Sequence, residues 1–201
     1  GLERLEYRGY DSAGLALLDE GKITVKKRTG KVAELKNLCA GDENKATCGI
    51  GHTRWATHGG VTDVNAHPHR CGQVVLIHNG IIENYRELIM EYSLQGKIIS
   101  ETDSEVVAAL LDTFYDGDPI AAIKKTVKAL SGAFALCIMF QDIPGKIFAI
   151  RNVSPMVATS CEEGSIIASD LTAIVEFSKE YFVVPEYHIL ILSEDGIDVS
   201  T

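Results

Sequence analysis

The sequence has no long apolar run. Stretches such as Ala133–Phe140 are far too short to span a bilayer, so no membrane partner is expected. It has no basic stripe either. Its 19 Lys and Arg are scattered among 28 Asp and Glu, and the formal net charge is −9. Nucleic acid is therefore not an expected partner. No C-x-x-C occurs, and the five cysteines (39, 48, 71, 137, 161) are odd in number, with Cys137 inside an apolar run. That usage reads as reduced, mostly buried thiols in a cytoplasmic protein. No charged-then-apolar leader opens the chain, so nothing indicates secretion. No Met precedes Gly1, and Leu2, Leu5 and Tyr7 read as the tail of an amphipathic helix already under way. The N-terminus is expected to have been trimmed.

What is present is ordinary for a soluble globular chain: 46% hydrophobic and 23% charged residues. A length of 201 residues suffices for one domain with a real core, or two small ones. Leu15–Asp19 and Ile23–Arg28 read as strands joined at Glu20-Gly21-Lys22. Val32–Leu38 reads as a short helix and Cys48–Trp55 as a strand. Ala56–Gly72 has no period and reads as a long loop, of the kind that is usually functional or disordered. Gln73–Ile77 is an apolar strand running into His78-Asn79-Gly80. Helices are expected over Asn84–Gln95, after Thr102-x-x-Glu105, and from Asp118-Pro119 to Gly132. Ile98–Ser100 reads as a short strand.

Beyond Gly132 the pattern turns to strands: Ala133–Phe140, Lys146–Arg151, Met156–Thr159, Ile166–Ala168, Tyr181–Val184 and Ile189–Leu192. Only Leu171–Phe177 among them reads as helical. Several strands are apolar on both faces and so must be covered on both sides. The simplest architecture is α+β: two packed sheets with helices outside each.

Five of the six histidines (52, 58, 67, 69, 78) fall between residues 52 and 78, with the only Trp and Asn79-Gly80. Polar residues crowding strand ends and one long loop look like a site. A zinc site from His67, His69, His58, Cys48 or Cys71 is one reading, but the spacings match no standard motif. Histidines bonded to loop backbone are the other. Asn79-Gly80 is a hairpin turn on one reading. On the other it is an oxyanion hole, made by an amide side chain and a backbone N–H. Asp103 is favoured at a helix N-terminus by the dipole alone. Yet it shares a face with Val106, Val107 and Leu110, and an inward carboxylate wants a cation such as an ammonium. Arg54 could be a surface pair or a carboxylate clamp, and Trp55 core filler or a pocket cover. Arg54 and Asp103 together suit the zwitterionic end of a free α-amino acid.

The segments in order resemble one family. Leu5-Glu6-Tyr7-Arg8-Gly9-Tyr10-Asp11-Ser12-Ala13-Gly14 is similar to the opening of the glutaminase (class II) domain of the glutamine:fructose-6-phosphate amidotransferases, or glucosamine-6-phosphate synthases. So are His52-Thr53-Arg54-Trp55-Ala56-Thr57-His58-Gly59, Asn65-Ala66-His67-Pro68-His69, and His78-Asn79-Gly80-Ile81-Ile82-Glu83-Asn84. Ser100-Glu101-Thr102-Asp103-Ser104-Glu105-Val106 and Ala168-Ser169-Asp170 continue the likeness across the whole chain. Related purine-pathway phosphoribosyl amidotransferases share the His78-Asn79-Gly80 and Thr102-Asp103-x-Glu105-Val106 cores.

The resemblance implies a four-layer α-β-β-α sandwich of the N-terminal-nucleophile hydrolase type. It implies a glutaminase in which an N-terminal cysteine attacks the glutamine side chain and its own α-amine is the base. Arg54 would grip the α-carboxylate and Asp103 the α-amine, and Asn79 and Gly80 would form the oxyanion hole. Trp55, Thr57 and His58 would belong to a closing loop, with His67 near the site. No cofactor and no metal are expected. The partners expected are glutamine or glutamate and a sugar isomerase domain of the same parent chain, the parent being a homo-oligomer. Position 1 is Gly and not Cys. Residues 1–201 are thus expected to be one glutaminase domain lacking its first strand, without the isomerase domain, and inactive alone. The alternatives are the glutaminase domain of another amidotransferase, such as the purine-pathway phosphoribosyl enzyme, and a non-catalytic amino-acid-binding module.

Overall fold

In a computed structural model, which describes residues 1–43, 45–162 and 164–201, the chain opens with a one-turn helix, α1 (Leu2–Leu5), and a 3₁₀ turn at Glu6–Arg8. Strands β1 (Ser12–Asp19) and β2 (Lys22–Thr29) then form a hairpin in which Asp19 pairs with Lys22. The two loop residues, Glu20 and Gly21, both have positive φ (45° and 76°), as a tight hairpin turn requires. Helix α2 (Val32–Cys39) follows, then β3 (Cys48–Arg54), which pairs antiparallel with the other edge of β1.

A six-stranded antiparallel sheet is built from β4 (His69–Cys71), β5 (Val74–Ile82), β6 (Gly132–Phe140), β7 (Ile147–Asn152), β11 (Ile189–Ser193) and β12 (Gly196–Ser200). Its order is β12-β11-β7-β6-β5-β4. Strand parity divides its side chains cleanly. On β6, Phe134, Leu136, Ile138 and Phe140 meet the helices, while Ala135, Cys137 and Met139 face the other sheet layer. On β5, Val74, Leu76 and Ile82 take the helix side, and Val75 and Ile77 take the inter-sheet side. The helical layer is α3 (Tyr85–Glu91), α4 (Asp103–Phe114) and α5 (Pro119–Ala129). Asp118 caps α5, its carboxylate accepting from the Ala121 N–H at 3.0 Å, with Pro119 in the first turn.

The opposing sheet layer is split. Sheet β2-β1-β3 forms one part; β8 (Val157–Cys161), β9 (Gly164–Ala168) and β10 (Phe182–Val183) form the other, in the order β10-β8-β9. Both contribute to one apolar core against the six-stranded sheet, through Ala16, Leu18 and Ile50 on one side and Ala158 and Val184 on the other. Outside the β1 sheet, α2 packs Val32 and Leu35 on Ala13. The layers therefore run helix, sheet, sheet, helix, which makes the fold an α+β sandwich.

Between the two halves of the split layer lies a slot of about 340 Å³. Its walls are Gly51–Thr53 of β3 and Ile166–Ala168 of β9, and its floor includes Ile77, Ala135 and Cys137. Among the described residues β3 pairs only with β1, and β9 only with β8. Leu2 and Leu5 of α1, with Ala173 and Phe177, cover it.

Several local expectations change. Strand β5 does not stop at Ile77 but runs through Asn79 and Gly80 to Ile82, paired with β6 throughout. The hairpin reading of Asn79-Gly80 therefore fails, and the helix begins only at Tyr85. Asn84 does not cap it with its side chain. Its amide donates to the Ala129 carbonyl (2.8 Å) and accepts from the Ser131 N–H (2.9 Å), a tie to the end of α5. Ile98–Ser100 is not a strand, and Ile99 is 83% exposed. Of the predicted 171–177 helix only Leu171–Ala173 is helical, as a 3₁₀ turn, and 174–177 continue as hydrogen-bonded turns. Strands β4 and β12 are additions: β4 is three residues inside the long loop, and β12 is a short edge strand with only Ile197 and Val199 apolar.

Candidate active site

On β3, Cys48, Ile50, His52 and Arg54 are buried alternately, so His52 and Arg54 extend the apolar stripe toward one end of the sandwich. On β5, Asn79 falls on the same parity as Val75 and Ile77, facing β3. The two polar side chains meet there: His52 Nε2 lies 2.8 Å from Asn79 Oδ1. His78, one residue earlier, points to the helix side, and its Nδ1 lies 2.9 Å from the Ser104 hydroxyl of α4. Gly80 takes φ 128°, and a Cβ there would sit 2.0 Å from the Ala133 carbonyl oxygen. Only glycine fits this close approach of β5 and β6.

Asp103 opens α4 and is buried, 3% exposed. Its Oδ2 accepts the Ile82 N–H at 2.8 Å, which ties the helix N-terminus to the end of β5 beside Gly80. The capping box is half formed. Thr102 Oγ1 accepts the Glu105 N–H at 3.2 Å, but Glu105 turns to the N–H groups of Ile99 and Ser100. Burial is tolerated because each carboxylate has backbone donors.

All eight residues predicted from sequence line one cavity of about 330 Å³. Asn79, Gly80 and Asp103 form one side, and Arg54, Trp55, Thr57 and His58 another, with His67 among the lining. His52 and Arg8 line both this cavity and the slot, so the cavity opens at the slot's end.

The Arg54 guanidinium is buried, with its fork spread over the carbonyls of His58 (2.6 Å), Gly59 (3.3 Å) and Gly60 (3.1 Å). Asp11 lies 3.4 Å from it and also accepts the Ala56 N–H, so the loop root is pinned from both ends. Trp55 is 67% exposed, its ring lying against Gly9; it is not core filler. His58 meets the edge of Tyr85, with ring centroids 5.5 Å apart. Glu101 accepts from the Gly60 N–H (3.1 Å) and the Asn65 amide (2.9 Å), and the Gly60 bond leads in holding its carboxyl below the ordinary value.

Lys27, on β2, reaches across Gly14 to the carbonyls of Val64 (3.1 Å), Ala66 (2.8 Å) and Pro68 (3.2 Å). A Cβ at Gly14 would lie 2.0 Å from the His67 carbonyl oxygen, so this strand position must be empty for the loop to lie down. Lys27, Gly14 and His52 are cross-strand neighbours in one row. The loop sets His67 over His52, ring centroids 4.1 Å apart at 31°, with His69 a further 4.8 Å away. Burial holds His52 down at about 4, and drives His67 and His69 well below the usual imidazole value. These rings are neutral at pH 7. Burial likewise lowers Lys27.

A family model for the glutamine amidotransferase domain matches residues 57–176. The chain is 46% identical over 98% of its length to the glutamine--fructose-6-phosphate aminotransferase (isomerizing) of Aquifex aeolicus, and 44% identical over 99% to that of Fusobacterium nucleatum. It belongs to the glutamine amidotransferase domain family. The chain spans about a third of the length of those curated relatives (34% and 33%). A solved glutamine phosphoribosylpyrophosphate amidotransferase from B. subtilis, complexed with ADP and GMP, superposes with a TM-score of 0.83 at 26% identity. That match covers 99% of this chain and 44% of the other.

The cavity of this amidotransferase domain has further lining residues that motif spacing did not single out. His52, Arg8, Ser104 and Ser169 all line the cavity. For His52 the signal was in the sequence, because its alternation with Ile50 and Arg54 sets it facing inward. Arg8 and Ser169 become neighbours only in the fold, with a 3.1 Å bond between residues 161 positions apart. Among the described residues no group of three or more His, Cys, Asp or Glu is placed to hold a metal ion, and Cys39, Cys48, Cys71 and Cys137 are free thiols. No helix among them is long and apolar enough to cross a membrane.

Proposed function

We propose that this chain is the glutamine-handling domain of a glutamine--fructose-6-phosphate aminotransferase. The observation that carries the reading is the convergence of Arg54, Asp103 and the pair Asn79-Gly80, from three places in the sequence, on one cavity at the end of the slot. Arg54 takes the α-carboxylate of glutamine and Asp103 its α-ammonium, each charge meeting its opposite where water is scarce. Asn79 and the Gly80 N–H receive the oxygen that gains charge as the side-chain amide is attacked. Trp55, Thr57 and His58 form the covering loop, and His67 backs the wall. The slot takes an extended strand that joins β3 to β9 and carries the N-terminal cysteine implied by the resemblance. Its thiolate forms a bond to the amide carbon, ammonia leaves, and water then releases glutamate. The ammonia goes to a sugar isomerase domain of the same longer protein, where it aminates fructose 6-phosphate.

The test uses the full-length protein containing this chain. Glutamate release from glutamine, with glucosamine 6-phosphate formed from fructose 6-phosphate, is expected. Asp103→Ala should lower it at least about 100-fold, as loss of a buried charge partner at a site does. No glutamate release by the unsubstituted full-length protein would overturn the reading. Ammonia transfer only to a phosphoribosyl pyrophosphate would replace it with the purine-type alternative. Residues 1–201 alone are expected to release none.

A further inference from the structure

Asn79 can work as an oxyanion donor only if its NH₂ faces the cavity. A carboxamide has two nearly isosteric ends, so something must choose between them. The neighbour in position to choose is His52, whose Nε2 stands 2.8 Å from Asn79 Oδ1. We propose that His52, as the neutral Nε2–H tautomer, is a positioning residue that fixes the Asn79 carboxamide with its NH₂ toward the cavity. The inference rests on the functional reading above for its consequence, though not for its geometry.

The two tautomers have opposite effects. With the proton on Nε2, the ring donates to Asn79 Oδ1, and the amide donors are left for the cavity. With the proton on Nδ1, Nε2 can only accept, the carboxamide turns over, and an oxygen lone pair faces the site of the developing anion. That arrangement repels what it should hold.

Burial decides between them. His52 is 8% exposed and its Nδ1 makes no hydrogen bond; of the two polar groups that act on the ring, the Asn79 side chain outweighs the His78 backbone. A buried nitrogen lone pair without a donor is tolerated more readily than a buried N–H without an acceptor. The orphaned Nδ1 is therefore the bare one, and the proton sits on Nε2. Protonating both nitrogens would also fix the amide, but burial holds the ring neutral, its pKa at about 4. The ring is flanked by His67, whose centroid lies 4.1 Å away at a tilt of 31°. Its place in the row Lys27–Gly14–His52 fixes its height along β3.

Two measurements test this. In this chain, with ¹⁵N-labelled histidine, the ring nitrogens of His52 are assigned by the signal lost in His52→Gln. A protonated Nε2 and a bare Nδ1 at pH 7 are expected, and a protonated Nδ1 overturns the proposal. In the full-length protein, His52→Ala is expected to lower kcat for glutamate release by about 10- to 100-fold, below the loss for deleting an oxyanion donor outright. KM for glutamine should move less than about threefold, because Asn79 acts on the transition state. His52→Gln, whose amide N–H can reach Asn79 Oδ1, should recover most of the rate. Equal losses in both variants, or a loss confined to KM, overturn the proposal. If the unsubstituted full-length protein releases no glutamate, the functional reading falls and the ring-nitrogen measurement alone decides the tautomer.

Discussion

The two sheet layers of the sandwich differ in completeness. The six-stranded sheet is continuous, apolar on both faces and covered on both sides. The layer facing it is broken into two three-stranded parts with a 340 Å³ slot between them. The continuous sheet supplies the packing and, through Asn79 and Gly80, one wall of the candidate site; Arg54 comes from β3 of the broken layer and Asp103 from α4. The two sheet layers thus carry the packing unequally, and four measurements can sharpen or break that comparison.

The largest effect is expected at Gly80, the point where β5 of the continuous sheet enters the site. Gly80→Ala forces a Cβ against the Ala133 carbonyl oxygen at a φ of 128°, and should cost about 4 kcal/mol or more in urea unfolding. A near-neutral result would mean that the β5–β6 approach is not rigid. Next comes a pair of truncations. Ile138→Ala, fully buried under the helices, should cost about 3 kcal/mol, since it leaves a cavity. Ile167→Ala, on the slot wall and only half-buried, should cost about 1 kcal/mol. Equal costs would break the comparison.

A third effect is the dependence on pH. His52, His67 and His69 have folded values below the ordinary imidazole value, with burial the leading cause. Below about pH 6.5 the unfolded chain takes up protons that the folded chain refuses. Stability should therefore fall on acidification from pH 7 to 5, by about 1.4 kcal/mol per unit for each such ring once the pH is well below 6.5. His52→Gln should flatten the slope, and a slope unchanged by it would count against a buried neutral His52. The smallest effect belongs to the cover of the slot. Arg4 pairs with Glu176 at 2.7 Å, but both are nearly half exposed. Arg4→Ala should shift stability by about 0.5 kcal/mol or less.

Most of the layered fold was legible because burial on both faces leaves a plain mark. Ala133–Phe140 and Val74–Ile77 are unbroken apolar runs, and their strands lie within a residue of expectation except where β5 continues. That continuation was illegible locally. Asn79-Gly80 carries the strongest short turn signal, yet pairing with β6 keeps it extended. The tertiary partner overrode the dipeptide. The Asn84 and Glu87 spacing suggested a cap, but Asn84 found better partners at Ala129 and Ser131, about 45 positions away. The eight predicted site residues all line one cavity because each stands in a motif. Contacts among motif residues, by contrast, are not written in the motifs. The contact between His52 and Asn79 depends on two strands in different layers, and the Lys27 clamp on a register no composition reveals.

That register reaches further than its own sheet. The hairpin turn at Glu20-Gly21 fixes which β2 residue stands opposite Gly14, and it is Lys27. A slip of one residue would turn that ammonium to the outer face. Three loop carbonyls would lose their common donor, His67 would lift from His52, and the ring beside Asn79 would be free to rock. A two-residue turn remote from the cavity thus acts as the site's calibration, and an insertion there should be read first in catalysis and only later in melting.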